Sequence, residues 1–152
     1  MIKKRALTLI EIMIVIFIIG LIGSVIGYNM KGSLDEGKSF KCEQGSKQVH
    51  DFLTLQIAET NKDMDDVLAE PEEALRATGF VNRADKLIKD GWNQKYVIEK
   101  IENADGKDPD FIVFSKNWYS FLKNKKKMTN EAMQEEYPWA FHFDEDELHQ
   151  ES

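Results

Sequence analysis

From Leu7 to Tyr28 the chain is apolar almost without interruption: Leu7-Thr8-Leu9-Ile10-Glu11-Ile12-Met13-Ile14-Val15-Ile16-Phe17-Ile18-Ile19-Gly20-Leu21-Ile22-Gly23-Ser24-Val25-Ile26-Gly27-Tyr28. At about 1.5 Å rise per residue this run makes about 33 Å of helix, enough to cross a hydrocarbon core of about 30 Å. Past Tyr28 the pattern becomes one-sided. Leu34, Gly37, Cys42, Gly45, Val49, Phe52, Leu53 and Ile57 recur mostly at three- and four-residue steps, which is a helical stripe. The simplest reading is one long helix from about Leu7 to Glu59, with a transmembrane half over 7–30 and an amphipathic half over 31–60 that packs on a globular head. Its weak point is glycine: Gly20, Gly23, Gly27, Gly32, Gly37 and Gly45 all lie in it. Each costs about 0.5–1 kcal/mol relative to Ala, although in a membrane small residues let helices approach closely.

The head is predicted over 61–128. Pro71 to Gly79 has Pro at the first turn, acids beside it, Arg76 late and Gly79 as a stop, a complete short-helix signature. A second short helix is expected from Arg83 to Lys89, with Asn82 as N-cap. Tyr96–Ile101 and Phe111–Phe114 are β-branched and aromatic runs separated by a segment containing Asp105-Gly106, a hairpin signal. Trp118 to Leu122 reads as a third strand. The fold class is α+β: a long N-terminal helix packed on a small antiparallel sheet. The segment 129–152 is acidic, with eight acids and no Lys or Arg from Glu131 onward, so a solvated or disordered tail is expected. Within it Thr129 to Glu136 has the form of a helix ending before Pro138. The alternation of Trp139, Phe141 and Phe143 suits a short docked strand.

Charge sharpens this picture. Twenty Lys+Arg against 27 Asp+Glu give a net charge of −7 in 152 residues. That excludes general nucleic-acid binding, which needs clustered positive charge. The distribution is uneven: Lys3, Lys4 and Arg5 precede the apolar run, and Glu11 is the single charge within it. Basic residues before the span orient the N-terminus to the cytoplasm and the remainder outside. An ordinary cleavable signal has an apolar core of about 7–15 residues closed by a small-x-small site, and this run is longer and lacks one. A plain anchor leaves Glu11 unexplained, because a carboxylate in an anchor costs about 2.5–3.5 kcal/mol near the bilayer centre, less at its edge.

Lys4-Arg5-Ala6-Leu7-Thr8-Leu9-Ile10-Glu11 resembles the leader junction of type IV pilins and type II secretion pseudopilins. The resemblance implies cleavage between Ala6 and Leu7 by the prepilin peptidase, which removes leader 1–6 and methylates Leu7, and an assembly role for Glu11. Ala6 stands where Gly is usual, and Leu7 where Phe is. Asp90-Gly91-Trp92-Asn93-Gln94-Lys95-Tyr96 is similar to the loop before the sheet in the major pseudopilin, matching at Asp90, Trp92 and Tyr96. Asn93 falls where that family has Gly, and Asn tolerates left-handed backbone. The resemblance implies an inner-membrane, single-pass subunit with a periplasmic head, assembling into a helical homo-oligomeric fibre. Its partners would be other pseudopilins, the prepilin peptidase and the inner-membrane secretion platform. Local unwinding near a glycine of the long helix is also implied.

Chemistry adds little. No catalytic constellation is present, so an enzyme is not expected: His50, His142 and His149 lack nucleophile partners at motif spacing, and no phosphate loop appears. His50 is expected in solvent. Cys42, the single cysteine, reads as a helix-packing residue. No cofactor is expected. Similar pseudopilins hold Ca²⁺ in an acidic loop after the second strand, but here that stretch is Ser115-Lys116-Asn117-Trp118, without a carboxylate. Asp105, Asp108 and Asp110 are weak Ca²⁺ candidates, since Ile101 and Ile112 break EF-hand spacing. Three alternatives stay open: a type IV pilin, disfavoured by the lack of a Cys pair; a minor tip pseudopilin; and a membrane-tethered periplasmic binding module.

Overall fold

The computed structural model describes residues 8–61, 63–101 and 110–148. Helix α1 (Leu9–Thr60) is followed by α2 (Met64–Ala69), α3 (Pro71–Ala77) and α4 (Ala84–Leu87). Strands β1 (Val97–Ile101) and β2 (Asp110–Phe114) come next, then α5 (Lys116–Asn124), α6 (Asn130–Glu136) and α7 (Glu145–Leu148). The α+β class holds, with a long apolar N-terminal helix and a small antiparallel sheet. The chain divides at Glu36–Gly37 into two compact units, and α1 contributes to both.

In the first unit every described side chain from Leu9 to Tyr28 is exposed. Apolar surface of this extent is untenable in water and is the low-energy state in lipid. This part of α1 is long and apolar enough to cross a membrane.

In the second unit α1 buries Cys42, Ser46, Val49, Leu53 and Gln56, at alternating steps of four and three. Two cores form on this face. Val49 and Leu53 pack with Val67, Leu75, Ile88, Tyr96, Phe111 and Val113, whereas Cys42 packs with Trp118, Phe121, Leu122, Met133, Ala140 and Phe141. The hairpin has the expected antiparallel pairing, Val97 opposite Phe114 and Ile101 opposite Asp110. β2 is buried at Phe111, Ile112 and Val113 in succession. Helix α3 starts at Pro71, and Gly79 adopts φ +75°, the left-handed conformation that a glycine stop supplies.

Several expectations are corrected. Trp118 to Leu122 is not a third strand but the middle of α5. The Ser115 hydroxyl caps that helix by accepting from the Trp118 N–H at 3.2 Å, and one face buries Trp118, Phe121 and Leu122. An aromatic run without strict alternation suits either state, and the cap decides for helix. Asn82 does not cap the helix after it: Arg83 occupies the N-cap position of α4, with no side-chain cap bond. The segment from Thr129 is not a solvated tail through its first half. Thr129 caps α6 through the Ala132 N–H, and Met133, Ala140 and Phe141 are buried. Trp139 to Phe143 docks without forming a strand. Among the described residues one backbone bond joins it to the sheet, from the Val113 N–H to the Trp139 carbonyl at 2.8 Å, and the docking rests on aromatic packing of Phe141 against Phe114, Trp118 and Tyr119. His50 is half-buried, stacked on Phe111 at 4.6 Å between centroids.

Candidate functional site

Two places carry the residues singled out by sequence. The first is the start of α1. Ala6 and Leu7 lie outside the described residues. Thr8 is the residue before the helix, and the Glu11 carboxylate accepts from the Thr8 N–H at 2.9 Å and its hydroxyl at 3.3 Å. The Thr8 hydroxyl in turn accepts from the Glu11 N–H at 3.4 Å. This is a capping box, Thr-x-x-Glu, in which two orphan N–H groups at the helix start are satisfied reciprocally. The sequence pattern Thr8-Leu9-Ile10-Glu11 carried that signal. A negative charge at a helix N-terminus is also favoured by the helix dipole. Further along, a Cβ built on Gly20, Gly23 or Gly27, which share one face, would meet nothing within 4 Å, so this face is open to a neighbouring helix.

The second place is the loop 90–96. Asp90 is 1 % exposed, and both of its carboxylate oxygens are committed to donors. One accepts from the backbone N–H groups of Trp92 at 2.9 Å and Gln94 at 2.8 Å. The other accepts from the Ser115 hydroxyl at 2.8 Å and the Asn117 amide at 3.2 Å. Asp90 thus closes its own loop and ties it to the connection between β2 and α5. Asn93 has φ 65°, the left-handed backbone expected of it.

The loop sits tightly on α1. A Cβ on Gly91 would come within 2.2 Å of the Lys38 carbonyl oxygen, so only glycine fits here. The Gly91 N–H points at the Cys42 sulfur, 3.1 Å away, and the Tyr96 hydroxyl donates to the Cys42 carbonyl at 3.3 Å. A Cβ on Gly45 would lie 2.8 Å from the Tyr96 hydroxyl oxygen. Burial, with Asp90 nearby, pushes the Cys42 thiol up to about 11. Burial likewise pushes the Tyr96 phenol well above its ordinary range, with Cys42 and Asp90 adding to it. Cys42 is therefore a buried neutral thiol that packs, the opposite of an activated nucleophile.

Periodicity alone missed the polar half of this interface. The indole N–H of Trp118 donates to the Ser39 hydroxyl at 2.9 Å, and that of Trp139 to the Ser46 hydroxyl at 3.1 Å. Ser39 and Ser46 are seven residues apart, two turns on the face that carries Cys42. Serine in a helix interior reads as surface, so the available signal was the pair of distant tryptophans that need acceptors when buried. Ser115 and Asn117, noted in the sequence for offering no carboxylate, are the partners of Asp90.

Of the Ca²⁺ candidates, Asp105 and Asp108 lie outside the described residues. The Asp110 carboxylate accepts from the Phe111 N–H at 2.8 Å and lies 3.7 Å from His50 Nε2. Among the described residues no group of three His, Cys, Asp or Glu side chains is placed to share an ion.

No protein-family profile matches the chain, and no solved structure matches it. It is similar to three chlamydial proteins, each named "Putative outer membrane protein". The relative from Chlamydia trachomatis is 36% identical over 114 residues, 75% of this chain and 89% of its own length. That from Chlamydia pneumoniae is 33% identical over 124 residues, covering 82% and 96%. That from Chlamydia muridarum is 35% identical over 114 residues, covering 75% and 89%.

Proposed function

The chain belongs to the family of these three chlamydial membrane proteins, and we propose that it is a pseudopilin-like structural subunit, cleaved at Ala6–Leu7 and packed helically into a fibre of a secretion machine. The observation that carries this reading is the placement of one carboxylate. Glu11 is the sole charge in the apolar run and sits on the first turn of α1, directly after a basic leader ending in a small residue. Cleavage would make Leu7 an α-amino terminus, cationic at neutral pH, with a reference pKa of about 7.7–8.0. Within one chain that amine and Glu11 are four residues apart and can pair. In a fibre, the amine of a neighbouring subunit takes its place, turning a burial penalty into a contact that sets register.

The names of the relatives speak of an outer membrane. The apolar helix of membrane length found among the described residues supports an inner-membrane precursor instead, since outer-membrane spans are ordinarily closed barrels. The second reading, a membrane-tethered binding module, gains from the capping box, which gives Glu11 a task needing no partner subunit.

Two variants separate the readings. Glu11→Gln keeps the capping box, because Gln accepts from the Thr8 N–H as Glu does, but removes the charge. Glu11→Leu removes both. Charge pairing between subunits predicts that both variants insert and are cleaved, and that both fail to assemble. Normal fibre assembly by Glu11→Gln, seen by cross-linking or microscopy, refutes the pairing. Mass spectrometry of the purified protein tests the class itself: residues 1–6 should be missing and Leu7 methylated, and an intact Met1 sinks the proposal.

A further inference from the structure

A cleft of about 150 Å³ in the second unit is bordered by the end of α1, by α2 and by α3. Its rim holds Asp66 of α2, Glu70 between the two helices and Glu73 of α3, and its wall holds Val67 and Ala74. Gln56 lines it as well. That residue is 6% exposed, and no group among the described residues hydrogen-bonds its side-chain amide. The amide is not sealed in the core but opens into the cleft, where it has room for a partner. Contact with Glu73, through a shared hydrogen bond and its charge, raises the Glu70 carboxyl above its ordinary range. Two carboxylates so close create a demand for a cation. A bare metal ion suits the cleft poorly, because no three acidic, His or Cys side chains among the described residues converge on one point. A long cationic side chain suits it well, its methylenes against Val67 and Ala74 and its charged head among the acids.

The chain carries such side chains on a complementary surface. Lys125 and Lys127 are exposed where α5 ends, and Lys127 adopts φ 57°. This turn lies at the far end of the same unit. α5 is fixed to Ser39 through Trp118, and Phe121 packs at a tilt against Trp92, whose ring lies under the Lys38 ammonium. Gln56 lies 17 residues beyond Ser39 on α1, about 26 Å along the axis. No single chain can bring the two surfaces together.

We propose that the Gln56/Asp66/Glu70/Glu73 cleft receives a lysine of the Lys125–Lys127 turn from a second copy of this chain. The two surfaces differ, so the contact is heterologous and joins copies head to tail. An exposed ion pair is weak by itself and screened by salt. It becomes effective where the copies are already concentrated, as in one membrane. The contact goes beyond the fibre reading and requires neither cleavage at Ala6 nor Glu11.

The test uses the full chain in detergent micelles and in vesicles, as an equal mixture of ¹⁴N- and ¹⁵N-labelled protein. A zero-length carbodiimide joins only carboxylates and amines already in contact. Mass spectrometry should find mixed-isotope peptides linking Glu70 or Glu73 to Lys125 or Lys127, and their yield should fall with salt. Sedimentation adds a readout that does not depend on the linking chemistry. Glu70→Lys/Glu73→Lys protein and Lys125→Glu/Lys127→Glu protein should each self-associate about tenfold more weakly than the parent. Mixed together, they present matched surfaces again and should recover association. Absence of the mixed-isotope peptides, parent-like association of either variant alone, or no recovery on mixing overturns the proposal. Loss of the links on adding a chelator would show a metal in the cleft and also overturn it. An uncleaved N-terminus in the linked protein would refute the processing proposed above and leave this contact standing.

Discussion

Replacing Asp90 removes a buried side chain that accepts four hydrogen bonds, so the cost can be worked from its contacts. In Asp90→Ala the N–H groups of Trp92 and Gln94, the Ser115 hydroxyl and the Asn117 amide all lose their acceptor. Hydrogen bonds to a charged group contribute about 1.5–3 kcal/mol each, and an orphaned buried donor costs about 1–3 kcal/mol. The four share one carboxylate, and some donors will find water, so they do not add in full. A loss of about 3–5 kcal/mol is expected, a large part of the 5–15 kcal/mol typical of a domain. Asp90→Asn keeps one oxygen for the two backbone donors but turns an NH₂ toward Ser115 and Asn117, so about 1–2 kcal/mol is expected. Trp92, Trp118 and Trp139 all lie in the second unit, and their fluorescence during urea unfolding of the full chain in micelles reports that unit alone. With a slope of about 1–3 kcal/mol per molar urea, the Ala variant should shift the midpoint down by about 2 M. An Ala variant within about 0.5 kcal/mol of the parent, or an Asn variant as costly as Ala, would refute the assignment of Asp90 as the organiser of this loop.

Three further outcomes follow from the same interface. Gly91→Ala should destabilise by about 1–3 kcal/mol, because its Cβ must displace the Lys38 carbonyl or the loop itself; a neutral melt would show the loop free to move. Stability should fall as pH rises. The Cys42 thiol, raised to about 11, favours the neutral form in the folded state, so its contribution is complete below pH 9.0 and is lost between 9.0 and about 11. A shift of that size carries up to about 2.7 kcal/mol. Tyr96 and Tyr137, also raised by burial, act in the same direction at higher pH. Denaturant midpoints from pH 7 to 11 check this, and Cys42→Ala should flatten the first part of the fall. Calcium should not change the melting midpoint measured with and without chelator; a large Ca²⁺-dependent rise would show that an ion binds the folded state.

The long helix, the Pro71 helix and the hairpin were legible because each rests on a local rule. These are an apolar run of membrane length, a proline start with a glycine stop, and β-branched runs about an Asp-Gly. The left-handed backbone at Asn93 was legible for the same reason. What could not be read depends on distant partners. Trp118-Tyr119-Ser120-Phe121-Leu122 has strand composition, and only Ser115 as a cap with Cys42, Met133 and Phe141 around it makes it a helix. The charge run after Thr129 hid a docked segment, because net charge says nothing of four aromatics at 137, 139, 141 and 143 that find a common surface. At Glu11 the Thr-x-x-Glu spacing of a capping box was present in the sequence, and the same carboxylate serves the helix start locally as well as carrying the membrane cost of a charge.

Asp90 also bears on the stretch 115–118, which carries no carboxylate of its own. The resemblance assigns an ion-binding loop to the stretch 115–118, and an ion there would hold the connection after β2 in place. In this chain Ser115 caps α5, Trp118 fills the core beside Cys42, and Asn117 turns back to Asp90. The charge that anchors both loops here is Asp90, in the loop before β1, and its partners at 115 and 117 are neutral donors. A carboxylate with four short contacts to protein donors has little left to offer a cation, and removing any one donor leaves three. The same loop also contributes to the seat of the head on α1, through Gly91 against Lys38 and Tyr96 against Cys42. Loosening Asp90 would loosen the seat of the whole sheet on its helix.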